Sequence, residues 1–257
     1  MYPFLRIGPL LINFSGLVIL IGIWIGITLV EKESLRMKLN PAQVSNGILI
    51  GLVAGVVGAR LSHALQYLQA YISNPLGLLS LNPDAFLPWA GLLIGVLATL
   101  FYGKRKGLLL RPTLDALAAG LAFFMISLGV SHFLSGNAYG APADLPWSIN
   151  LWSEQRHPTQ VYEILAASLI FLMAWFNKTR NQGRGMNFLL VLAASACARI
   201  FLEAFRGDSL LLPGGFRSAQ VAGLVVLSAT LWLMRKWGEK DVPHGEQEPV
   251  ENREEGK

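Results

Sequence analysis

Cysteine and charge are both scarce in this chain of 257 residues. The one cysteine, Cys197, lies in an apolar run, which excludes a disulfide framework and a cysteine-based metal site. Charged residues make up 14% of the chain, against about 25% in an average soluble domain. Hydrophobic residues reach 53%, and the mean hydropathy is +0.47. This composition argues against a soluble protein and predicts an integral membrane protein.

Long apolar runs take the place of the missing charge. A helix needs roughly 20 apolar residues to cross the hydrocarbon core of a bilayer. We therefore predict an all-α integral membrane protein with about seven transmembrane helices. The third run is the shortest, so its limits are the least well defined by the sequence. The predicted spans are residues 10–30, 47–70, 86–102, 114–135, 159–177, 186–206 and 217–236.

Lys and Arg are distributed unevenly between the two sides of this predicted bundle. They concentrate in the first, third and fifth loops and in the C-terminal tail, as is typical of cytoplasmic segments. We therefore expect the N-terminus outside and the C-terminus in the cytoplasm. Residues 1–237 are expected to form the membrane domain, and residues 238–257 a disordered charged cytoplasmic tail. The same short basic clusters argue against nucleic-acid binding, although the pI is near 9.5.

Several ionisable side chains interrupt the apolar runs in the half that this orientation places outside. Charges inside a membrane are expensive and mark candidate sites. Arg199, Glu203 and Arg206 are spaced i, i+4 and i+7, so they share one face of a helix. Together with Arg60 and Glu163 they give more arginines than glutamates. The positive excess predicts an anion, and a phospholipid headgroup suits the planar fork of arginine.

A simpler interpretation is that these charges only pair with one another. Arg199 and Glu203 have the spacing of an ion pair along one helix, and Glu163 is available to neutralise Arg60. Asp115 lies at the opposite end of the fourth span, where we expect it in the membrane interface. The residues alone leave both interpretations open.

The fifth span opens with the stretch R-H-P-T-Q-V-Y-E, residues 156–163. Pro158 is typical of a first helical turn, and Thr159 or His157 can cap the start. An ordinary helix start would need no more than that. This one also places a dense polar group at the membrane surface, made up of Arg156, His157, Gln160 and Glu163.

These motifs resemble those of the prolipoprotein diacylglyceryl transferases of bacterial plasma membranes. R-H-P-T-Q-V-Y-E resembles that family's R-H-P-S-Q-x-Y-E, and R-I-F-L-E-A-F-R at residues 199–206 resembles its R-F-x-x-E-F-x-R. G-A-R-L at residues 58–61 resembles its G-G-R-L, and I-G-P at residues 7–9 resembles its amino-terminal motif. Ser218 and Gln220 match the start of its last helix. The resemblance therefore extends over most of the chain.

The resemblance implies a multi-pass protein of the bacterial plasma membrane that moves diacylglycerol from phosphatidylglycerol to the cysteine thiol of a prolipoprotein signal peptide. Glycerol phosphate leaves, and no cofactor or metal is implied. Arginines would bind the phosphate, and a base would help the thiol to ionise. The candidate catalytic residues are His132, His157, Glu163, Arg199 and Glu203. The candidate residues for binding phosphatidylglycerol, or another anionic phospholipid, are Arg60, Arg156, Gln160, Arg206 and Asn137.

The chain departs from the family pattern at two stretches. Trp89 stands where the family's H-G-G motif has a histidine regarded as catalytic. The family's G-R-x-G-N-F-x-N-G-E matches L-G-V-S-H-F-L-S-G-N at residues 128–137, with Gly129 at the arginine and His132 at the first asparagine. The chain is thus a divergent transferase with His132 or His157 as base, a relative with another lipid or acceptor, or a non-catalytic lipid-binding protein. A transporter is less favoured, because the sequence has no internal repeat.

Overall fold

The computed structural model describes residues 4–7, 10–79, 85–177 and 185–240 of the chain. Residues 8 and 9 of the I-G-P motif lie outside the described residues, as does most of the predicted tail, residues 241–257. Helices dominate the rest. The helices are α1 (Phe14–Arg36), α2 (Pro41–Gln66), α3 (Leu68–Ser73), α4 (Pro88–Arg105), α5 (Leu110–Ser135), α6 (Thr159–Asn177), α7 (Met186–Leu202) and α8 (Ser218–Lys240).

Six helical segments in the described ranges are long and apolar enough to cross a membrane, judged by length and composition. They are α1, α2, α5, α6, α8 and α7 with the 3₁₀ turn that follows it. The chain is therefore a mostly helical, multi-pass membrane protein, as predicted. The α4 helix occupies the predicted third span but carries Lys104 and Arg105 within its 18 residues. The count of seven spans, like the orientation of the termini, stays a prediction.

Two short antiparallel hairpins lie directly before α1 and α6. Asn13, the last residue of the first hairpin, accepts hydrogen bonds from the backbone N–H groups of Ser15 and Gly16 and so caps α1. Because of this hairpin and cap, α1 begins at Phe14 and not at residue 10, where the apolar run begins. The strands are β1 (Phe4–Ile7) with β2 (Leu10–Asn13), and β3 (Ile149–Leu151) with β4 (Glu154–Arg156).

Glycines set the close approach of α2 and α4, which run antiparallel. A Cβ atom at Gly95 would lie 2.7 Å from the carbonyl oxygen of Gly51. One at Gly91 would lie 2.7 Å from the carbonyl oxygen of Gly55. Membrane helices commonly pack through small residues in this way, because lipid provides no hydrophobic force that would push them together. The two backbones therefore touch, with no room for a side chain at these positions.

The α5 helix is the centre of the bundle. It packs against α1 on one side and against α6 and α7 on the other, and α8 packs on α7. The α2–α4 pair joins this group through α1. Small side chains fill the contact between α5 and α6 and let Val191 of α7 reach it. The buried residues of this core are Ala118, Ala122, Ile170, Ala174 and Val191.

Asp115, near the start of α5, binds the start of α7. Its carboxylate accepts hydrogen bonds from the backbone N–H groups of Gly185, Asn187 and Phe188, at 2.8, 2.9 and 3.1 Å. The first N–H groups of a helix have no partner within the helix, and the helix dipole favours a negative charge there. Asp115 is 1% exposed. It is therefore buried as a cap at the start of α7, and its predicted position in the membrane interface stays a prediction.

We predict that Gly95→Val will push α2 and α4 apart, because its Cβ would lie against the carbonyl oxygen of Gly51. Overpacking of this kind costs about 1–3 kcal/mol. The loss is measured as a lower melting temperature of the protein in detergent. Leu93→Val, on an exposed face of the same helix, is the matched control and should melt like the wild type. Equal melting temperatures for Gly95→Val and the wild type would contradict this close crossing.

Candidate active site

The carboxylate of Glu163, early in α6, binds side chains from three other segments. Its Oε2 lies 2.9 Å from Nδ1 of His132, near the end of α5. Its Oε1 accepts a 2.7 Å hydrogen bond from Nη1 of Arg206 and lies 3.5 Å from Nη1 of Arg199. The structure thus brings four of the predicted site residues together at one acidic group.

Two further acidic residues surround the same arginines. Glu203 is 1% exposed, and its Oε2 lies 3.0 Å from Nη2 of Arg199. Asp208 accepts two hydrogen bonds from Arg206, at 2.8 and 2.7 Å. Burial alone would lower the pKa of Arg206, but the hydrogen bonds and charge of Asp208, with the charges of Glu163 and Glu203, raise it. We define the Glu163 cluster as His132, Glu163, Arg199, Glu203, Arg206 and Asp208.

The excess of positive charge counted from the sequence does not gather in this cluster. Arg217 adds a third guanidinium, which donates to the backbone carbonyls of Glu203 and Arg206. With Arg217 counted beside the cluster, three arginines balance three carboxylates. Asp208 provides the third carboxylate, and Arg60 makes its hydrogen bonds elsewhere. Charge balance of this kind is what a partly buried ionic group in an apolar surrounding needs.

Arg199 has a far more exposed guanidinium than Arg206. Its side chain is 40% exposed, against 11% for Arg206. All three guanidinium nitrogens of Arg206 are used by Asp208 and Glu163. Arg199 meets its two glutamates through Nη1 and Nη2, and no described residue accepts a hydrogen bond from its Nε. Within the cluster, Arg199 is therefore the arginine that can donate to an added anion.

Arg60, predicted to bind lipid phosphate, is engaged by the backbone. It is 8% exposed and donates to the carbonyl oxygens of Leu78, Ala85 and Gly77, the first two at 3.2 and 2.8 Å. None of its hydrogen bonds goes to the Glu163 cluster. Arg60 therefore fastens the segment after α3 to the end of α2.

Arg156, also predicted to bind lipid, has a similar environment. Its Nε donates to the carbonyl oxygen of Leu151 at 3.2 Å, and its Nη1 donates to that of Gly140 at 3.1 Å. The guanidinium lies over the ring of Tyr139, 4.9 Å from its centre, and pairs with Glu154. Arg156 thus holds together the connection between α5 and α6.

That connection also ties two parts of the cluster to each other. The backbone N–H of Ala141 donates to the carbonyl of Phe205 at 2.8 Å, and that of Gly207 donates to the carbonyl of Tyr139 at 2.9 Å. On its other edge, Ala141 accepts a 3.1 Å hydrogen bond from the N–H of His157. The start of α6, which carries Glu163, is therefore joined to the segment that carries Arg206.

The remaining predicted residues lie beside the cluster. Gln160 is fully buried, and its Nε2 donates to the backbone carbonyl of Asn137 at 2.9 Å. The side chain of Asn137 is exposed. His157 lies 3.5 Å from the Tyr162 hydroxyl through Nδ1, and its ring packs edge-on against Phe205. His157 thus belongs to an aromatic group and not to the carboxylate cluster.

Packing between α5 and α6 leaves no room for a side chain at Gly129. A Cβ atom at Gly129, where the resemblance predicts an arginine in the family, would lie 2.9 Å from Cγ1 of Ile164. A long side chain there would require α6 to move. His132, three residues further along α5, reaches Glu163 instead. Trp89, where the resemblance predicts a histidine in the family, lies in the first turn of α4 and is 79% exposed.

Asp208 and Arg217 are not among the site residues predicted from the sequence. Asp208 follows Arg206 by two residues, at the point where the helix has ended and the backbone is extended. An acidic residue just beyond an arginine-ending helix was the available signal for this pair. Arg217 gave no such signal, because its acceptors are two backbone carbonyls and the hydroxyl of Ser209.

The family model described as prolipoprotein diacylglyceryl transferase matches residues 3–236 of the chain. The chain belongs to this family. A protein of Geobacillus kaustophilus named phosphatidylglycerol–prolipoprotein diacylglyceryl transferase is 31% identical, over 91% of this chain and 92% of its own. Proteins of the same name from Corynebacterium efficiens and Trichormus variabilis are 26% and 28% identical, over 92% and 88% of this chain and 81% and 86% of their own. These matches confirm the predicted family.

We predict that Arg206→Gln will lower stability, because Glu163 and Asp208 lose the cation they share. Breaking a buried pair by removing one partner costs about 3–5 kcal/mol, and the partial exposure of Asp208 favours the lower end. The melting temperature in detergent measures the loss. Arg235→Gln removes an exposed pair with Glu239 on α8 and should change the melting temperature little. Equally small effects of both substitutions would show that Arg206 does not hold this site together.

Proposed function

We propose that this chain transfers a diacylglyceryl group from phosphatidylglycerol to the cysteine thiol of a prolipoprotein signal peptide, with release of glycerol phosphate. One observation carries the proposal: two motifs shared with the transferases meet at one carboxylate. Glu163 ends R-H-P-T-Q-V-Y-E, and Arg199 and Arg206 begin and end R-I-F-L-E-A-F-R. The relatives described above are named for this activity.

We further propose that the bundle lies in a bacterial plasma membrane, with α4 as a seventh span, the N-terminus outside and the C-terminus in the cytoplasm. The distribution of Lys and Arg supports this orientation. The basic residues that end α4 and α8 lie at the far ends of their helices from the side where α6 begins. The Glu163 cluster would then lie in the outer leaflet, where phospholipid and exported peptide are both available.

Arg199 would bind the phosphate in this reaction. A phosphodiester carries one negative charge, and a second develops on the phosphate as the carbon–oxygen bond breaks. An exposed guanidinium, held in place by Glu203 and Glu163, offers fixed donors to that growing charge. Asn137 has an exposed side chain that can contact the glycerol headgroup. The other residues assigned to lipid binding, Arg60, Arg156, Gln160 and Arg206, would act by holding the backbone and the acidic residues.

The reaction is tested by complementing a bacterial strain depleted of its own transferase, and by assaying the purified protein with phosphatidylglycerol and a lipobox peptide. The expected product is the thioether-linked diacylglyceryl peptide. Well-folded protein that gives no product would exclude this function. Photo-crosslinking of that inactive protein to anionic phospholipid would favour a non-catalytic lipid-binding protein, and solute counterflow in proteoliposomes would favour a transporter.

We predict that Arg199→Lys will lower kcat/KM roughly 10²-fold, because lysine keeps the positive charge but loses the planar fork that donates to phosphate. The melting temperature should stay close to that of the wild type, since Glu203 still faces a cation. Arg60→Lys is the matched control. It should lower the melting temperature, because several carbonyls lose their donor, while kcat/KM of the folded fraction changes little. The reverse pattern would contradict the assignment of Arg199 to the phosphate.

A further inference from the structure

We propose that His132 is the general base of the transfer and that Glu163 is the residue that positions it; this inference rests on the proposed function. Nδ1 of His132 lies 2.9 Å from Oε2 of Glu163, whose Oε1 accepts a hydrogen bond from Arg206. A carboxylate held by arginine has no proton to donate, so Nδ1 must carry the hydrogen of this contact. The neutral ring therefore presents Nε2 with a free lone pair.

The imidazole of His132 is partly exposed. The side chain is 27% exposed, and no described residue is hydrogen-bonded to Nε2. Arg199, the exposed cation proposed to bind phosphate, contacts the other oxygen of the same Glu163 carboxylate. His132 and Arg199 thus lie side by side, each in contact with one oxygen of the Glu163 carboxylate. A thiol that binds there would face His132, and a phosphodiester beside it would face Arg199.

The proton and electron pairs balance in this step. The acceptor thiol gives its proton to Nε2, and its sulfur attacks the glycerol carbon that bears the phosphate. The carbon–oxygen bond breaks, and its electron pair leaves with the phosphate oxygen. The imidazolium, stabilised by the negative charge of Glu163, then returns its proton to the departing glycerol phosphate. A thioether forms, and nothing is oxidised or reduced.

The other described histidines lack this geometry. His157 contacts the Tyr162 hydroxyl and aromatic rings, and His63 contacts the Tyr71 hydroxyl at 3.1 Å. Of the histidines in the described ranges, His132 alone lies in contact with a carboxylate.

The test is the pH dependence of the single-turnover rate with phosphatidylglycerol and a lipobox peptide. In the wild type the rate should rise through about pH 5–8, the range in which imidazoles lose a proton, and then level off. His132→Asn should lower the rate at neutral pH by about 10²–10⁴-fold. The rate of this variant should keep rising with pH toward the pKa of a free thiol, about 8.5. His63→Asn is the matched control and should keep the wild-type profile. Four charged groups face His132 from α6, α7 and the segment after α7: Glu163, Arg199, Glu203 and Arg206. The charged residues of α1 lie at the end of that helix far from His132, and they are Glu31, Lys32, Glu33 and Arg36.

His132→Gln provides a second variant, since its amide keeps a donor for Glu163 if asparagine impairs folding. A wild-type pH profile in both His132 variants would overturn the assignment of His132. So would a result in which His157→Asn, and neither His132 variant, loses the rise in rate through about pH 5–8. Either result would leave the proposed transferase activity intact. Absence of thioether product from the folded wild type would instead overturn the proposed function. Partial recovery of the His132→Ala rate by added imidazole is expected as well, and a purely structural histidine would show none.

Discussion

The carboxylate of Glu163 is the contact on which the geometry of the site depends. It receives a histidine from α5, an arginine from the end of α7 and a second arginine from the segment beyond α7. Each of these groups is polar in a bundle whose surface is largely apolar. Charged side chains inside a membrane almost always pair with one another or with backbone carbonyls. The pairing also fixes directions: it sets which nitrogen of His132 is free and which side of Arg199 is open.

Much of the helical architecture was predictable, because a span of about 20 apolar residues leaves few alternatives in a bilayer. The spacing of residues within a motif also predicted their contacts where the backbone is helical. Arg199 and Glu203, four residues apart, do form an ion pair at 3.0 Å. The limits of α1 were less predictable, since a hairpin and the Asn13 cap override an apolar run that continues through both.

The partners of the individual arginines could not be read from the sequence. A guanidinium is satisfied equally well by carboxylates, phosphates or backbone carbonyls, and only the tertiary fold decides which of them lies within reach. Arg60 was predicted to bind lipid phosphate, and its hydrogen bonds in the fold go to carbonyls 17 to 25 residues further along the chain. Arg206 lies beyond the helix in extended backbone and still meets Glu163, so its position in the motif was informative even though the helical spacing was not.

The α7 helix is held by an acidic side chain at each end. Asp115 binds its first backbone N–H groups, and Glu163 binds Arg199 in its last turn. One turn of an α-helix is about 5.4 Å long, far more than the slack in a hydrogen bond. Sliding α7 along its axis by one turn would therefore break an ionic contact at both ends at once. These contacts hold α7 in place at both ends. Any movement that admits a lipid must therefore come from the neighbouring helices and their connections.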